Sequence, residues 1–228
     1  PKSAALVDNF GGQWLQLRNL EVHKPDPEKF PKFNDALAAA MGQETRRFFE
    51  GILKEDRSIL EFLDADYTYL NGRLAAHYGI EGVTGEEFRR VTLADNRRGG
   101  VLTHAGILTI SSYPTRTSPV LRGKWIMENI LGTPPPPPPP NVPELSTSEI
   151  GNTGTLRQQM EKHRADATCA VCHNKMDALG FGLENFDPVG QWRTHDGNFP
   201  IEPAGSLPGN KIFKTPAELR AILKADPK

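Results

Sequence analysis

Only two cysteines occur among the 228 residues, so a structural zinc site lacks its usual second cysteine pair. No apolar run approaches the length of a membrane-spanning helix. Neither sign of charge predominates: 27 basic residues stand against 28 acidic ones, a formal net charge of −1. That balance argues against a nucleic-acid or anionic-membrane footprint. No nucleophile–base pair, phosphate loop or second metal cluster rises above background. The chain opens at Pro1 without an initiator Met or an apolar secretion signal. It closes on Lys224-Ala225-Asp226-Pro227-Lys228, and so reads as a processed or partial piece of something longer.

Proline and glycine are plentiful, at 20 and 21 residues, which predicts long irregular connections between helices. At 228 residues the chain can bury a sizeable core as one large domain or two small ones. Both cysteines fall in one short stretch, Cys169-Ala170-Val171-Cys172-His173. C-x-x-C-H is the attachment signature for c-type haem: each thiol adds to a porphyrin vinyl group and the adjacent imidazole ligates the iron. On one helical turn, positions 169, 172 and 173 share a face, so two tethers and one ligand converge on one flat ring. A thioredoxin-like redox pair needs a βαβ setting that the neighbouring sequence does not suggest. A simple disulfide across two residues would give His173 no role.

Helical spacing of Leu6, Phe10, Trp14 and Leu17 predicts a helix over 1–20, with a loop at His23–Pro27. A long helix runs from Asn34 to about Lys54, carried by Leu37, Met41, Phe48, Phe49 and Ile52. A third begins near Asp56, with Tyr67, Leu70, Leu74 and Tyr78 continuing the period to a C-cap at Gly79. His77, in its last turn, reads as a partly exposed cation complementing the helix dipole. Val101–Ile110 fits a short helix or a buried strand equally well. Ser118-Pro119 is an N-cap and N1 pair, opening a helix that runs to Gly132. Seven prolines follow, Pro134 to Pro140, a stiff polyproline II strap between helical units. After a polar loop, Thr155 opens a helix with Leu156, Met160 and His163 on one face, and Asp166 caps the helix bearing the haem motif. Residues 190–209 read as loop with a short hairpin, and Thr215-Pro216-Ala217-Glu218 starts a last helix.

The stretches NFGGQWLQLRNL, DADYTYLNGRLAAHYGI, RRGGVLTHAGILTISSYPTRTSPVLRGKWIMENILGTPPPPPPPNVPEL and CAVCHNKMDALGFGLENFDPVGQWR resemble the large planctomycete-type cytochrome c proteins. These are built from consecutive conserved domains of unknown function, and the resemblance covers nearly the whole chain. It departs at Ala178, where the family usually shows Pro. The resemblance implies an exported protein in the periplasm or another extracytoplasmic compartment, because haem is joined to c-type proteins outside the cytoplasm. Motif and resemblance together predict a mainly α fold: a helical bundle, a polyproline strap, then a small c-type-cytochrome-like helical haem domain with long irregular loops. The expected divisions are a helical domain at 1–98 and a connecting helix and strap at 99–145, counted with the haem domain. The CxxCH domain follows at 146–200 and a truncated C-terminal domain at 201–228.

His173 is the proximal ligand of the single covalent haem c. Met176 lies one turn on, on the same and therefore proximal side, so packing there is favoured over iron ligation. His104, in an apolar stretch far away in sequence, and His163, on an inward face, are the distal candidates beside an open or water-bound iron. His23 and His195 read as solvated. Arg116, Arg122, Lys124 and Arg193 sit in family-like motifs and suit haem propionates. Trp125 and Trp192 could pack on the haem edge or in the core. Asp177, Glu184 and Asp187 lack a regular calcium-loop spacing and read as capping and solvated groups. The expected function is electron transfer to a redox partner protein or neighbouring cytochrome domain, in a possible larger assembly and without nucleic acid. The alternatives are a peroxidase- or oxidase-like haem enzyme and a structural, partner-binding subunit stapled by haem.

Overall fold

A computed structural model of the chain describes residues 2–137, 154–163 and 167–226, with the side chains of 162, 163, 167–169 and 171 outside that description. The N-terminal segment does not form the expected single helix. α1 (Lys2–Ala5) passes into a π-helical stretch (Leu6–Gly11) and α2 (Gly12–Trp14), and the chain breaks at Gln16, whose φ is 57°. α3 (Asn19–Val22) follows. Adjacent glycines at 11 and 12 weaken the helix, and the left-handed Gln16 ends it. The long helix α4 (Asp35–Lys54) begins where the sequence places it, because the Asn34 side chain accepts from the Leu37 amide at 3.0 Å. Its inner face buries Leu37, Met41, Phe48, Phe49 and Ile52, and among them Glu44 and Thr45.

α5 (Glu61–Asp64) leads into β1 (Tyr67–Leu70), then α6 (Gly72–Tyr78), and β2 (Arg89–Thr92) pairs antiparallel with β1, Tyr67 opposite Thr92. The expectation of helix through Tyr67 and Leu70 is corrected here. Tyr-Thr-Tyr-Leu has the aromatic and β-branched content of a half-buried strand, and the helix starts only after Asn71, whose side chain accepts from Leu74. It ends at Gly79 in the left-handed conformation, φ 70°, as a C-cap glycine should.

A 3₁₀ turn at Val101–Thr103 and α7 (Ala105–Ile110) resolve the ambiguous stretch as helix. α8 (Pro119–Asn129) starts on its Ser118 cap. Pro134–Pro137 carry no regular secondary structure, and the rest of the expected strap lies outside the described residues, as do Asp166 and most of the polar loop before Gly154. α9 (Leu156–His163) and α10 (Ala167–Phe181) follow. Two small hairpins, β3 (His195–Asp196) with β4 (Phe199–Pro200) and β5 (Gly205–Leu207) with β6 (Lys211–Phe213), precede α11 (Pro216–Lys224). Thr215 caps α11, and Glu218 returns to the Lys214 amide at 2.6 Å.

The mainly α expectation is thereby corrected to a mixed fold, about 47% helical with 10% strand in small two-stranded sheets. Short antiparallel pairs of two to four residues leave no periodic signature long enough to read. The largest buried cluster runs from Val7, Leu15 and Phe48 through Leu102 and Trp125 to Leu179, Phe213 and Leu223. The C-terminal residues pack back on the first half of the chain: Lys224 pairs with Asp64 at 2.7 Å, and Arg220 donates to the backbone carbonyls of Asn96 and Arg97. Among the described residues no helix is long and apolar enough to cross a membrane.

Candidate functional site

α10 carries both cysteines and His173. No proline or glycine interrupts it before Gly180, so positions 169, 172 and 173 keep their shared face. α8 holds it in place. A Cβ added at Gly123 would sit 1.8 Å from the Met176 carbonyl oxygen, and one at Gly180 would sit 1.9 Å from that of Pro119. The two contacts lie one turn apart on each helix and run in opposite directions. The helices therefore cross antiparallel, backbone on backbone, at a distance only glycine permits.

Cys172 and His173 are half-buried on this helix, and the Cys169 side chain lies outside the described residues. His173 Nδ1 stands 2.9 Å from Asp177 Oδ1, one turn further along, and the Asp177 side chain is completely buried. A carboxylate only accepts, so in this contact Nδ1 carries a proton and donates it to Asp177. Met176 is buried against α8 and belongs to the core cluster. The His163 side chain lies outside the described residues.

Arg122 is also completely buried. Its guanidinium donates to the carbonyls of Leu183, Phe186 and Asp187 at 2.7, 2.7 and 2.9 Å, and to Ser112 Oγ at 3.2 Å. Burial pushes its pKa down to about 10, against the pull of Glu184 at 3.5 Å. Glu184 also accepts from Thr117 Oγ1 at 2.7 Å and Arg193 at 3.1 Å, while Arg193 reaches Asp196 at 2.6 Å. Both arginines, expected at propionates, are engaged with the protein: Arg122 ties the 183–187 turn to α8, and Arg193 joins Glu184 to Thr117. Arg116 stacks over Tyr113 and donates to the Thr117 carbonyl, and Lys124 pairs with Glu128. Trp125 is a core residue whose indole N–H has no partner among the described residues. Trp192 packs edge-on against Phe186 and under Arg97.

His104 sits elsewhere, with 2% of its surface exposed. Its Nδ1 lies 3.0 Å from Thr45 Oγ1 and its Nε2 3.5 Å from Thr68 Oγ1, and Phe48 packs on its ring at 5.0 Å. Burial, with Arg98 nearby, pushes its pKa down to about 3, so it is neutral. Thr68 donates at 2.7 Å and Tyr78 at 2.5 Å to Glu44, whose carboxyl burial pushes up to about 7. Using either nitrogen of His104 as a ligand would break this buried network. His77 is half-buried, and the cation expected there is disfavoured: Nε2 donates to the Val189 carbonyl at 2.7 Å, and burial lowers its pKa. His23 is likewise lowered by burial, and His195 is exposed.

Asp177 and Glu184 are buried and paired rather than solvated, whereas Asp187 does cap a turn, accepting from the Val189 and Gln191 amides. Among the described residues no three His, Cys, Asp or Glu side chains are grouped to hold a metal ion. A cavity of about 310 Å³ opens between α9, the end of α10 and the β3–β4 hairpin, and neither Cys172 nor His173 lines it. Sequence reasoning missed the His173–Asp177 pair and the Glu44 network. The signals were there, in the i,i+4 spacing of the first and in a glutamate on the apolar face of α4.

No curated protein and no solved structure matches the chain. Two family models do: residues 1–80 match PSD4, a protein of unknown function (DUF1592), and residues 98–196 match PSCyt3, a protein of unknown function (DUF1588), names consistent with planctomycete cytochrome-type domains.

Proposed function

We propose that this chain is a c-type haem protein that transfers electrons through one haem tethered by Cys169 and Cys172, with His173 as the proximal ligand. The observation that carries the reading is the uninterrupted helix α10, on which the two thiol positions and the imidazole share a face and His173 has its proton assigned to Nδ1. The donor set fits the group: two thiols for two vinyl carbons, one imidazole for iron. When bound, the haem supplies the one-electron couple. The protein's part is to hold α10 rigidly through the Gly123 and Gly180 contacts and to bury the partner of His173. The name of the family model over residues 98–196 points the same way. Covalent attachment implies an extracytoplasmic location, and the natural partner is a redox protein or a neighbouring cytochrome domain.

Intact-mass measurement is the test, followed by the visible spectrum of the reduced protein with and without carbon monoxide. The expected result is the polypeptide mass plus one haem, with sharp α and β bands that the gas leaves unmoved. A bare polypeptide mass from cells competent in cytochrome c maturation would overturn the reading.

A further inference from the structure

We infer that Asp177 is a positioning residue for His173, fixing its tautomer and raising its donor strength, so that the haem is held at a lower potential than a simple histidine ligand would give. The inference rests on the haem reading above. Its geometric basis is the 2.9 Å contact between Nδ1 and Oδ1, made by a carboxylate with no exposed surface. A carboxylate this deep costs free energy unless it is hydrogen-bonded, and it sits among Met176, Ala178 and Leu179, all buried. Such a site holds the His173 ring at a defined rotation.

The consequence is electronic. Ligating histidines ordinarily donate their second N–H to a carbonyl, a water or a carboxylate, and a carboxylate shifts the most negative charge toward the ring. More charge on Nε2 stabilises the ferric state over the ferrous one, which lowers the potential. The remainder of the surroundings does not undo this. The cations of the same half, buried Arg122 and half-buried Arg193, are paired with Glu184 and Asp196 or committed to backbone carbonyls.

Asp177→Asn, made in the full chain with haem attached, keeps the shape and replaces an anionic acceptor by a neutral one. The expected result is an unchanged intact mass, a raised midpoint potential and, at a fixed poise, a ferrous-to-ferric ratio higher on the order of tenfold. Asp177→Glu, which keeps the charge, should recover most of the original potential. A merely structural aspartate would lower stability in both variants and move the potential in neither. That outcome, with haem attached, overturns the role of Asp177 alone, whereas the absence of haem from the unsubstituted protein overturns the reading beneath it. Should Asp177→Asn fail to fold, the hyperfine-shifted NMR spectrum of the unsubstituted ferric protein decides. An Nδ1 proton exchanging slowly supports the buried carboxylate contact, and one exchanging at the rate of exposed imidazole refutes it.

Discussion

His104 and His173 occupy two regions built on different plans. Around His104, α4, β1 and α6 bring Glu44, Thr45, Thr68 and Tyr78 into a closed polar network inside an aromatic shell, and each imidazole nitrogen faces a threonine hydroxyl. Around His173 a single helix supplies the partner, Asp177, and the ring stays partly exposed, with 19% of its side chain accessible. One is consumed by its neighbours on both nitrogens, while the other has its Nδ1 anchored by Asp177. Burial alone therefore does not mark a ligand. What sets His173 apart is an imidazole whose Nδ1 is held by a carboxylate one turn along its own helix.

The sharpest way to break this contrast is at the helix crossing that seats His173. Gly123→Ala places a methyl 1.8 Å from a backbone oxygen, so one helix must shift, and a loss of about 3 kcal/mol or more is expected in urea unfolding. Gly12→Ala, helical and with nothing within 4 Å, is the control and should gain up to about 1 kcal/mol. Equal stabilities for the two variants would mean that α8 and α10 do not meet as described.

The His104 region is tested by pH. Glu44 titrates near 7 in the fold against 4.5 in the free chain, so between those values the native state holds a proton the unfolded state has lost. The stability it contributes is complete below pH 4.5 and lost as pH rises through 7, about 3 kcal/mol in all. His104 acts in the opposite sense: its pKa is depressed from 6.5 to about 3, so its share is present above 6.5 and lost on acidification. Glu44→Gln should remove the first slope and leave the second, read as the difference between the two proteins' urea midpoints across pH 4 to 8. Parallel pH profiles would show that Glu44 is not buried in its charged-or-neutral balance as described. The smallest loss is expected from His104→Asn, about 2 kcal/mol from the threonine contacts with no change in the reduced haem spectrum. A shifted spectrum would erase the distinction between the two histidines.

Much of the helical scaffold was legible. Ser118 and Gly79 act as the caps expected of them, and Asn34 and Thr215 cap the helices expected to start there, because a cap needs only its own residue and the adjoining turn. β1 was not legible. Tyr67, Leu70, Leu74 and Tyr78 fall at spacings that mimic a helix, and the strand exists because Arg89–Thr92 returns to pair with it. His77 was misjudged for the same reason, since its acceptor, Val189, lies far along the chain. Arg122 carried no mark separating a surface cation from one enclosed by three carbonyls.

The sequence by itself determined the chemistry available on α10: which donors share a face follows from the covalent chain and the 3.6-residue turn, and needs no tertiary partner. The tertiary structure alone decided which polar groups are already spoken for. His104 with its threonines, Arg122 with its carbonyls and Glu184 with its arginines were settled when packing removed water from them, because a desolvated polar group must take whatever partner folding brings within reach.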